Sequence, residues 1–494
     1  MKAKYLVTKQ QNHPSYQTQI DWEKLAREIT SKVAEKTASY QSQPGCPQIP
    51  PSMELRDYQK EAVASWFRNK GRGTLKMATG SGKTITALAI ATELCQKIGL
   101  KVVFVICPYR HLVTQWGREC EKFNLKPILA FESVYNWQSQ LSIQLYNIHS
   151  GAQSFLTVIT TNSTLISESF QSQLRYFPPK TLVIGDEAHN LGAPRLEENL
   201  PRFLGLRLAL SATPERYFDD DGTDSLFNYF GPILQPEFTL GDAIKKGALV
   251  HYEYYPILVQ LTEPEAQSYA KLTKRIGWAL NGKNQPGEIA SQERLTSLLV
   301  QRSRLIGTAT NKLTALRQLM INRLHTHHTL FYCGDGGQKG FNRQLEEVTR
   351  ILGKELGYRV NTYTANTPML EREEMRQQFE TGQLQGLVAI RCLDEGVDIP
   401  AIENAVILAS STNPRQFIQR RGRILRPHPG KEKATLFDML VMPPTLDRDA
   451  YEVERSLLRK ELKRLMEFAD LADNAEEARN KLLELQEKYS LVDG

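Results

Sequence analysis

The 494-residue chain holds only six cysteines, Cys46, Cys95, Cys107, Cys120, Cys333 and Cys392, and no two of them form a C-x-x-C pair. A zinc knuckle and a disulfide framework are therefore not expected, and the thiols read as buried or incidental. The nine histidines contain no H-E-x-x-H pattern. His325, His327 and His328 crowd ahead of an apolar run, which reads as a solvated loop rather than a metal site. No apolar run is long enough to cross a bilayer as a helix, so a membrane partner is not expected. The opening Met1-Lys2-Ala3-Lys4-Tyr5-Leu6-Val7-Thr8-Lys9 lacks the apolar core of a secretory leader, and a cytoplasmic protein is expected. No repeat of solenoid period appears. Charge of one sign does not dominate either: a net +7 is compatible with a polyanionic partner without requiring one.

What remains is an ordinary globular composition, 41% hydrophobic and 24% charged, long enough for roughly three domain-sized units. Residues 1–51 form a polar extension, with a short helical pattern from Asp21 to Ile29 and a Pro-rich linker from Pro44 to Pro51. Residues 52–250 carry short apolar runs separated by helical segments, for example Val102-Val103-Phe104-Val105-Ile106 and Leu182-Val183-Ile184. Continuous apolar runs of this length suit strands covered on both faces, as in a doubly wound parallel sheet. Residues 251–325 read as a helical connector, and the strand pattern returns over 326–445. Residues 446–494 have leucines at helical spacing among mixed charges, which predicts a helical tail. The fold class is thus α/β: two doubly wound parallel-sheet lobes, a helical insertion between them, and helical N- and C-terminal extensions.

The chemistry concentrates in three stretches. Met77-Ala78-Thr79-Gly80-Ser81-Gly82-Lys83-Thr84 lies between a strand-like run and an apolar helical run. In that setting backbone N–H groups wrap phosphate oxygens at a helix N-terminus. Thr79, Gly80, Ser81 and Gly82 would line the cradle, Lys83 would reach the terminal phosphates, and Thr84 would hold magnesium. The strict phosphate-loop pattern fails only at Met77. Asp186-Glu187-Ala188-His189 follows the apolar run ending at Gly185, so its carboxylates fall at the carboxyl end of a strand. Asp186 would hold the metal and Glu187 would orient and deprotonate water. Arg423 and Arg426 are three apart, so on a helix they share a face and could stabilise charge on a phosphoryl group.

With these stretches in order, the chain resembles a superfamily 2 helicase or translocase with two RecA-like lobes. Leu55-Arg56-Asp57-Tyr58-Gln59 resembles the adenine-reading element, which implies nucleotide contact at Arg56 and Gln59. Ala78 to Thr84 is similar to motif I, and Asp186 to His189 to motif II. Cys107 to Trp116 resembles motif Ia and Thr160-Thr161 motif Ib, implying nucleic-acid contact by Pro108, Tyr109, Arg110, Thr160 and Thr161. Ser211-Ala212-Thr213-Pro214 resembles motif III, implying a coupling role for Ser211 and Thr213. In the second lobe, Leu330-Phe331-Tyr332 resembles motif IV, and Asp394 to Pro400 motif V, which places Gly396 and Asp398 near nucleotide. Gln419 to Arg426 resembles motif VI, implying coupling by Gln419. Where many relatives have a phosphate-binding Thr in motif V this chain has Ile390, followed by Arg391, whose charge could serve nucleic acid instead.

The wording Gly422-Arg423-Ile424-Leu425-Arg426, with Ala212-Thr213-Pro214-Glu215-Arg216, looks more like the XPB-like and restriction-enzyme helicases than like DEAH-type RNA helicases. The resemblance implies ATP and Mg2+ as ligands, a cleft between lobes as the ATP site, and DNA over RNA as track. An RNA helicase and an ATP-gated clamp that binds without unwinding remain competing readings. No nuclease pattern is apparent, so any cutting is expected from a protein partner docked on the N- or C-terminal helices.

Overall fold

A computed structural model describes residues 20–34, 46–216, 219–281, 288–334, 343–364, 367–390, 399–409, 421–489 and 491. The chain divides into two compact units, Met1–Thr239 and Leu240–Gly494. In the first, six runs form a parallel sheet: β1 (Arg72–Lys76), β2 (Val102–Cys107), β3 (Ile128–Ala130), β4 (Leu156–Thr161), β5 (Thr181–Asp186) and β6 (Leu206–Ser211). Their order across the sheet is β1-β6-β5-β2-β4-β3. Strand β2 is buried at every position because helices cover both faces, which is why its sequence shows no polar alternation. Phe104 lies beside Val158 and Val183 in the register, and its ring meets Phe170 and Phe177 at 5.5 and 5.3 Å. The helix Lys83–Ile98 packs closely through buried Ala87, Ala89 and Ala91. It ends at Gly99, whose φ of 65° lets its N–H reach the Cys95 carbonyl.

The helix Trp22–Ala34 docks on the helix Asp57–Arg68: Trp22 meets Trp66 edge-on at 6.2 Å, and Lys97 pairs with Glu28 at 2.6 Å. Trp22, Leu25 and Ile29 are all buried, so the apolar face of this helix is already used within the first unit. Gly71 permits the docking, since a Cβ there would lie 2.4 Å from the Trp22 ring. One expectation about the cysteines is overturned. Cys46 and Cys95 form a disulfide, with Cα atoms 5.9 Å apart, that ties the linker ahead of Asp57 to the helix Lys83–Ile98. The two lie 49 residues apart in sequence, and nothing local signals the pairing. Cys107, Cys120 and Cys333 are buried.

The second unit holds another parallel sheet: β7 (His251–Gln260), β8 (Thr329–Cys333), β9 (Val360–Tyr363), β10 (Gly386–Ile390), β11 (Asn404–Ile407) and β12 (Lys433–Met442), in the order β7-β12-β11-β8-β10-β9. The expected connector, 251–325, therefore opens on a strand of this sheet, and the first unit closes at Thr239 rather than near 250. Strand β7 is an edge. Pro256 sits within it, and Asn474 accepts from the Tyr254 N–H and donates to its carbonyl, taking the place of a neighbouring strand. The helices Glu263–Asn281 and Glu288–Gly307 pack with the tail helix Arg448–Asp470 around a buried charge cluster. Arg302 donates to Glu454 and to the Tyr269 hydroxyl, each at 2.7 Å, and reaches Glu461 at 3.3 Å. Insertion and tail thus form one helical layer. No helix among the described residues is long and apolar enough to cross a membrane.

Candidate active site

Three adjacent parallel strands end together. Lys76 of β1 lies beside Ser211 of β6, and Leu210 of β6 beside Asp186 of β5. At a strand spacing of about 4.8 Å, the three chain exits fall within a row of about 10 Å. Each strand delivers one of the stretches singled out in the sequence: the phosphate loop, Ser211 to Thr213, and Asp186-Glu187. The Met77 N–H donates to the Ser211 carbonyl at 3.1 Å, so the first two are joined directly.

The loop after β1 turns on Gly80 (φ 86°) and Gly82 (φ 85°), left-handed conformations that favour glycine. Gly82 caps the helix Lys83–Ile98, leaving its first N–H groups directed at the loop. Tyr58 donates from its hydroxyl to the Ser81 carbonyl at 2.7 Å, and Ser81 Oγ donates to the Ala78 carbonyl at 2.7 Å. Lys83 Nζ lies 3.2 Å from the Met77 carbonyl and 3.4 Å from that of Ala78, folded over the loop. Thr79 Oγ1 is buried without a hydrogen-bond partner among the described residues, an atom that a phosphate oxygen would satisfy. Gln59 is buried; it accepts from the Arg56 N–H at 2.9 Å and donates to the Gly82 carbonyl at 3.4 Å. It therefore braces the loop, while the Arg56 side chain stays exposed.

Asp186, 9% exposed, has both oxygens engaged: Oδ2 accepts from Trp116 Nε1 at 2.8 Å and Oδ1 from the Glu187 N–H at 3.0 Å. Glu187 itself adopts φ 43°, an unusual conformation for a non-glycine residue. His189 bridges the motifs. Its Nδ1 lies 3.3 Å from Ser211 Oγ and 3.6 Å from Glu187 Oε2, while Ser211 Oγ accepts from the Thr213 N–H at 3.1 Å. Next to this row, burial works against the charge of Lys76, but Glu215 at 2.9 Å and Glu237 at 3.2 Å hold its pKa above the ordinary value. Burial, with Asp186 and Glu187 nearby, pushes the Cys107 thiol well up, so it stays neutral.

A magnesium ion fits this donor set: one carboxylate (Asp186) and one half-buried hydroxyl (Thr84) leave room for water and phosphate. Among the described residues no cluster of three or more His, Cys, Asp or Glu offers an all-protein metal cage.

Other expected site residues fare differently. Thr160 and Thr161 are buried in β4. Thr160 Oγ1 donates to the Ala130 carbonyl at 2.8 Å, and Thr161 Oγ1 caps the next helix by accepting from the Thr164 N–H at 3.2 Å. Their hydroxyls are thus engaged within the first unit. Tyr109 and Arg110 are exposed at the carboxyl end of β2, with half-buried Pro108 before them. In the second unit, Arg421 is buried and paired with Asp438, beneath the Tyr254 hydroxyl that donates to Asp438 at 3.0 Å. Arg423 is buried in the same last helical turn. Arg426 lies past its end because Pro427 follows and disfavours helical backbone at the residue before it, so the two do not share a helix face as expected. Lys431, missed in the sequence, secures this turn: Nζ donates to the carbonyls of Ile424 (2.5 Å), Arg426 (2.9 Å) and Pro400 (3.2 Å). Arg391, Gly396, Asp398 and Gln419 lie outside the described residues.

Comparison with known proteins fits the row of strand ends. Residues 52–216 match the family model "Type III restriction enzyme, res subunit", and 311–428 match "Helicase conserved C-terminal domain". The chain is 29% identical over 415 residues to a "DNA 3'-5' translocase XPB2" of Sulfurisphaera tokodaii, covering 81% of this chain and 84% of that protein. It is 26% identical to "Putative helicase 22" of a Sulfolobus islandicus filamentous virus and 24% to a "Putative DNA 3'-5' helicase Rad25" of Haloarcula marismortui, covering 79% and 76% of this chain. It spans only 64% and 51% of the length of those two. A solved structure titled "ATP-dependent Type ISP restriction-modification enzyme LlaBIII bound to DNA" shares the fold at a TM-score of 0.57 and 17% identity, over 90% of this chain and 33% of that one. Sequence motifs, two parallel sheets and these matches agree that the chain belongs to the superfamily 2 helicases, on the branch of the XPB-like and restriction-enzyme motors.

Proposed function

We propose that this chain is a DNA motor that binds ATP with Mg2+ on its first unit and couples hydrolysis to movement along a strand. The observation that carries the reading is the single row formed by the phosphate loop, the Ser211–Thr213 turn and Asp186-Glu187, with His189 linking the last two. Magnesium, when bound, would neutralise charge on the phosphates; Thr84 and Asp186 are the residues that would hold it. Lys83 grips the terminal phosphates, Glu187 takes the proton of the attacking water, and Arg423 and Arg426 of the second unit stabilise developing charge. The link from Glu187 through His189 and Ser211 to Thr213 gives a physical path by which the state of the ATP site reaches the next loop. DNA is favoured as the track by the wording of Gly422 to Arg426 and by relatives named as DNA translocases and helicases.

ATP hydrolysis measured with single- and double-stranded DNA and RNA tests the reading. DNA should stimulate turnover, the stimulation should fade with salt and show little sequence preference, and Lys83→Ala should abolish binding and turnover together. Stimulation by RNA alone would reverse the choice of track, and a wild-type rate indifferent to every nucleic acid would end the motor reading.

Lys431 gives a second test. Lys431→Met leaves three carbonyls around the arginine turn without their shared donor, so the turn loosens while the first unit is untouched. Turnover should fall roughly ten- to a hundredfold with the KM for ATP little changed. Wild-type kcat in this variant would remove Lys431 from any positioning role.

A further inference from the structure

Across the carboxyl edge of the first sheet, beyond the residues that resemble motifs Ia and Ib, stands a side chain that no motif includes. Tyr135 lies in a single 3-10 turn, Val134–Asn136, between β3 and the helix Gln138–Ser150. Connections leaving a parallel strand emerge at its carboxyl end, so this turn shares an edge with the exits of β2 and β4. The neighbours fix its place further: β3 lies beside β4, with Ala130 opposite Thr160, and β4 lies beside β2, with Thr161 opposite Cys107. Arg110 Nη1, just past β2, pairs with Glu132 Oε1 at 3.4 Å, which joins the motif Ia turn to the loop carrying Tyr135.

The turn is a rigid stalk. Trp137 is 2% exposed, in contact with Phe170 at 5.6 Å between ring centres, and Val134 packs against the same core. The Asn136 N–H donates to the Ser133 carbonyl at 3.0 Å. Between two anchored neighbours, Tyr135 is 92% exposed. Its sequence neighbours Glu132, Ser133, Asn136, Ser139 and Gln140 are exposed and polar, which suits a hydrated, charged ligand such as a nucleic-acid strand. A flat ring held out on this turn, in a loop that Arg110 reaches through Glu132, matches the stacking element of a single-strand channel, which accepts any base because every base has a π-face.

We propose that Tyr135 is a stacking platform for a base of the tracked single strand, with Arg110 exchanging Glu132 for the adjacent phosphate. The proposal rests on the motor reading and adds a base contact to what would otherwise be backbone tracking. The test uses the full chain and two labelled oligonucleotides of equal length, oligo-dT and a fully abasic strand, with binding followed by anisotropy. Tyr135→Ala and Tyr135→Leu should weaken oligo-dT binding about five- to a hundredfold, and Tyr135→Trp should restore it, with its own fluorescence quenched by the bound strand. On the abasic strand the wild type and Tyr135→Ala should bind alike. Because Tyr135 is almost wholly exposed, the thermal unfolding midpoint should stay in place in all three variants, separating binding from folding. Unchanged oligo-dT affinity in Tyr135→Ala overturns the proposal, as does an equal loss on both strands, which would make the contact one to the backbone. A wild type that binds neither strand would refute the motor reading itself, and the two failures are thereby told apart.

Discussion

Glu187→Gln should bind ATP as the wild type does and hydrolyse it at least about a hundredfold more slowly. The substitution keeps the size and shape of the side chain and removes the atom that accepts a proton. The backbone at Glu187 is held independently of the carboxylate: its N–H donates to Asp186 Oδ1 at 3.0 Å, and its carbonyl accepts from Asn190 Nδ2 at 3.0 Å. The left-handed φ of 43° is therefore maintained in the variant, and the loss should be chemical rather than structural. Asp186 is the contrast. Trp116 orients one of its oxygens, so Asp186→Asn turns an acceptor of the indole N–H into a mixed donor and acceptor as well as removing charge. Nucleotide affinity by calorimetry and single-turnover hydrolysis separate the two. Glu187→Gln hydrolysing at the wild-type rate would mean that another group takes the proton.

Much of this site was readable because its signals are local. The phosphate loop is eight consecutive residues, and Asp186-Glu187 follows its strand without a gap. Long-range partners left no such trace: Trp116 lies 70 residues from Asp186, Arg302 lies 152 from Glu454, and Cys46 lies 49 from Cys95. Nor does residue type reveal where a hydroxyl points. Thr160 and Thr161 fit a polar contact by composition, yet β4 is interior to the sheet and their bonds are spent on Ala130 and Thr164. Two misreadings did have a signal. Pro427 marks the end of the arginine turn. The alternation over His251 to Tyr255, with Pro256 behind it, is the pattern of an edge strand rather than the start of a helical connector.

The largest effect is expected from the arginines, and Arg421, Arg423 and Arg426 should separate into two kinds. Arg421 is buried against Asp438, and its guanidinium lies 4.8 Å from the centre of the Phe468 ring. Arg421→Ala strands a buried carboxylate and should destabilise the second unit by about 3–5 kcal/mol, read as a lowered unfolding midpoint. Arg423→Ala should behave in the opposite way. On the proposed reading its charge acts on nucleotide held by the first unit, where Tyr58 and Gln59 are bonded to the loop from Ala78 to Thr84. ATP affinity should stay close to wild type, because a charge that meets the phosphoryl group mainly in the transition state contributes little to ground-state binding. Hydrolysis should fall on the order of a thousandfold, with Arg426→Ala similar and the pair far from additive. The unfolding midpoint of Arg423→Ala, measured alongside, guards against mistaking a damaged second unit for a missing charge. An Arg423→Ala protein that is folded, binds ATP and turns it over at the wild-type rate would show that the first unit hydrolyses ATP without this arginine.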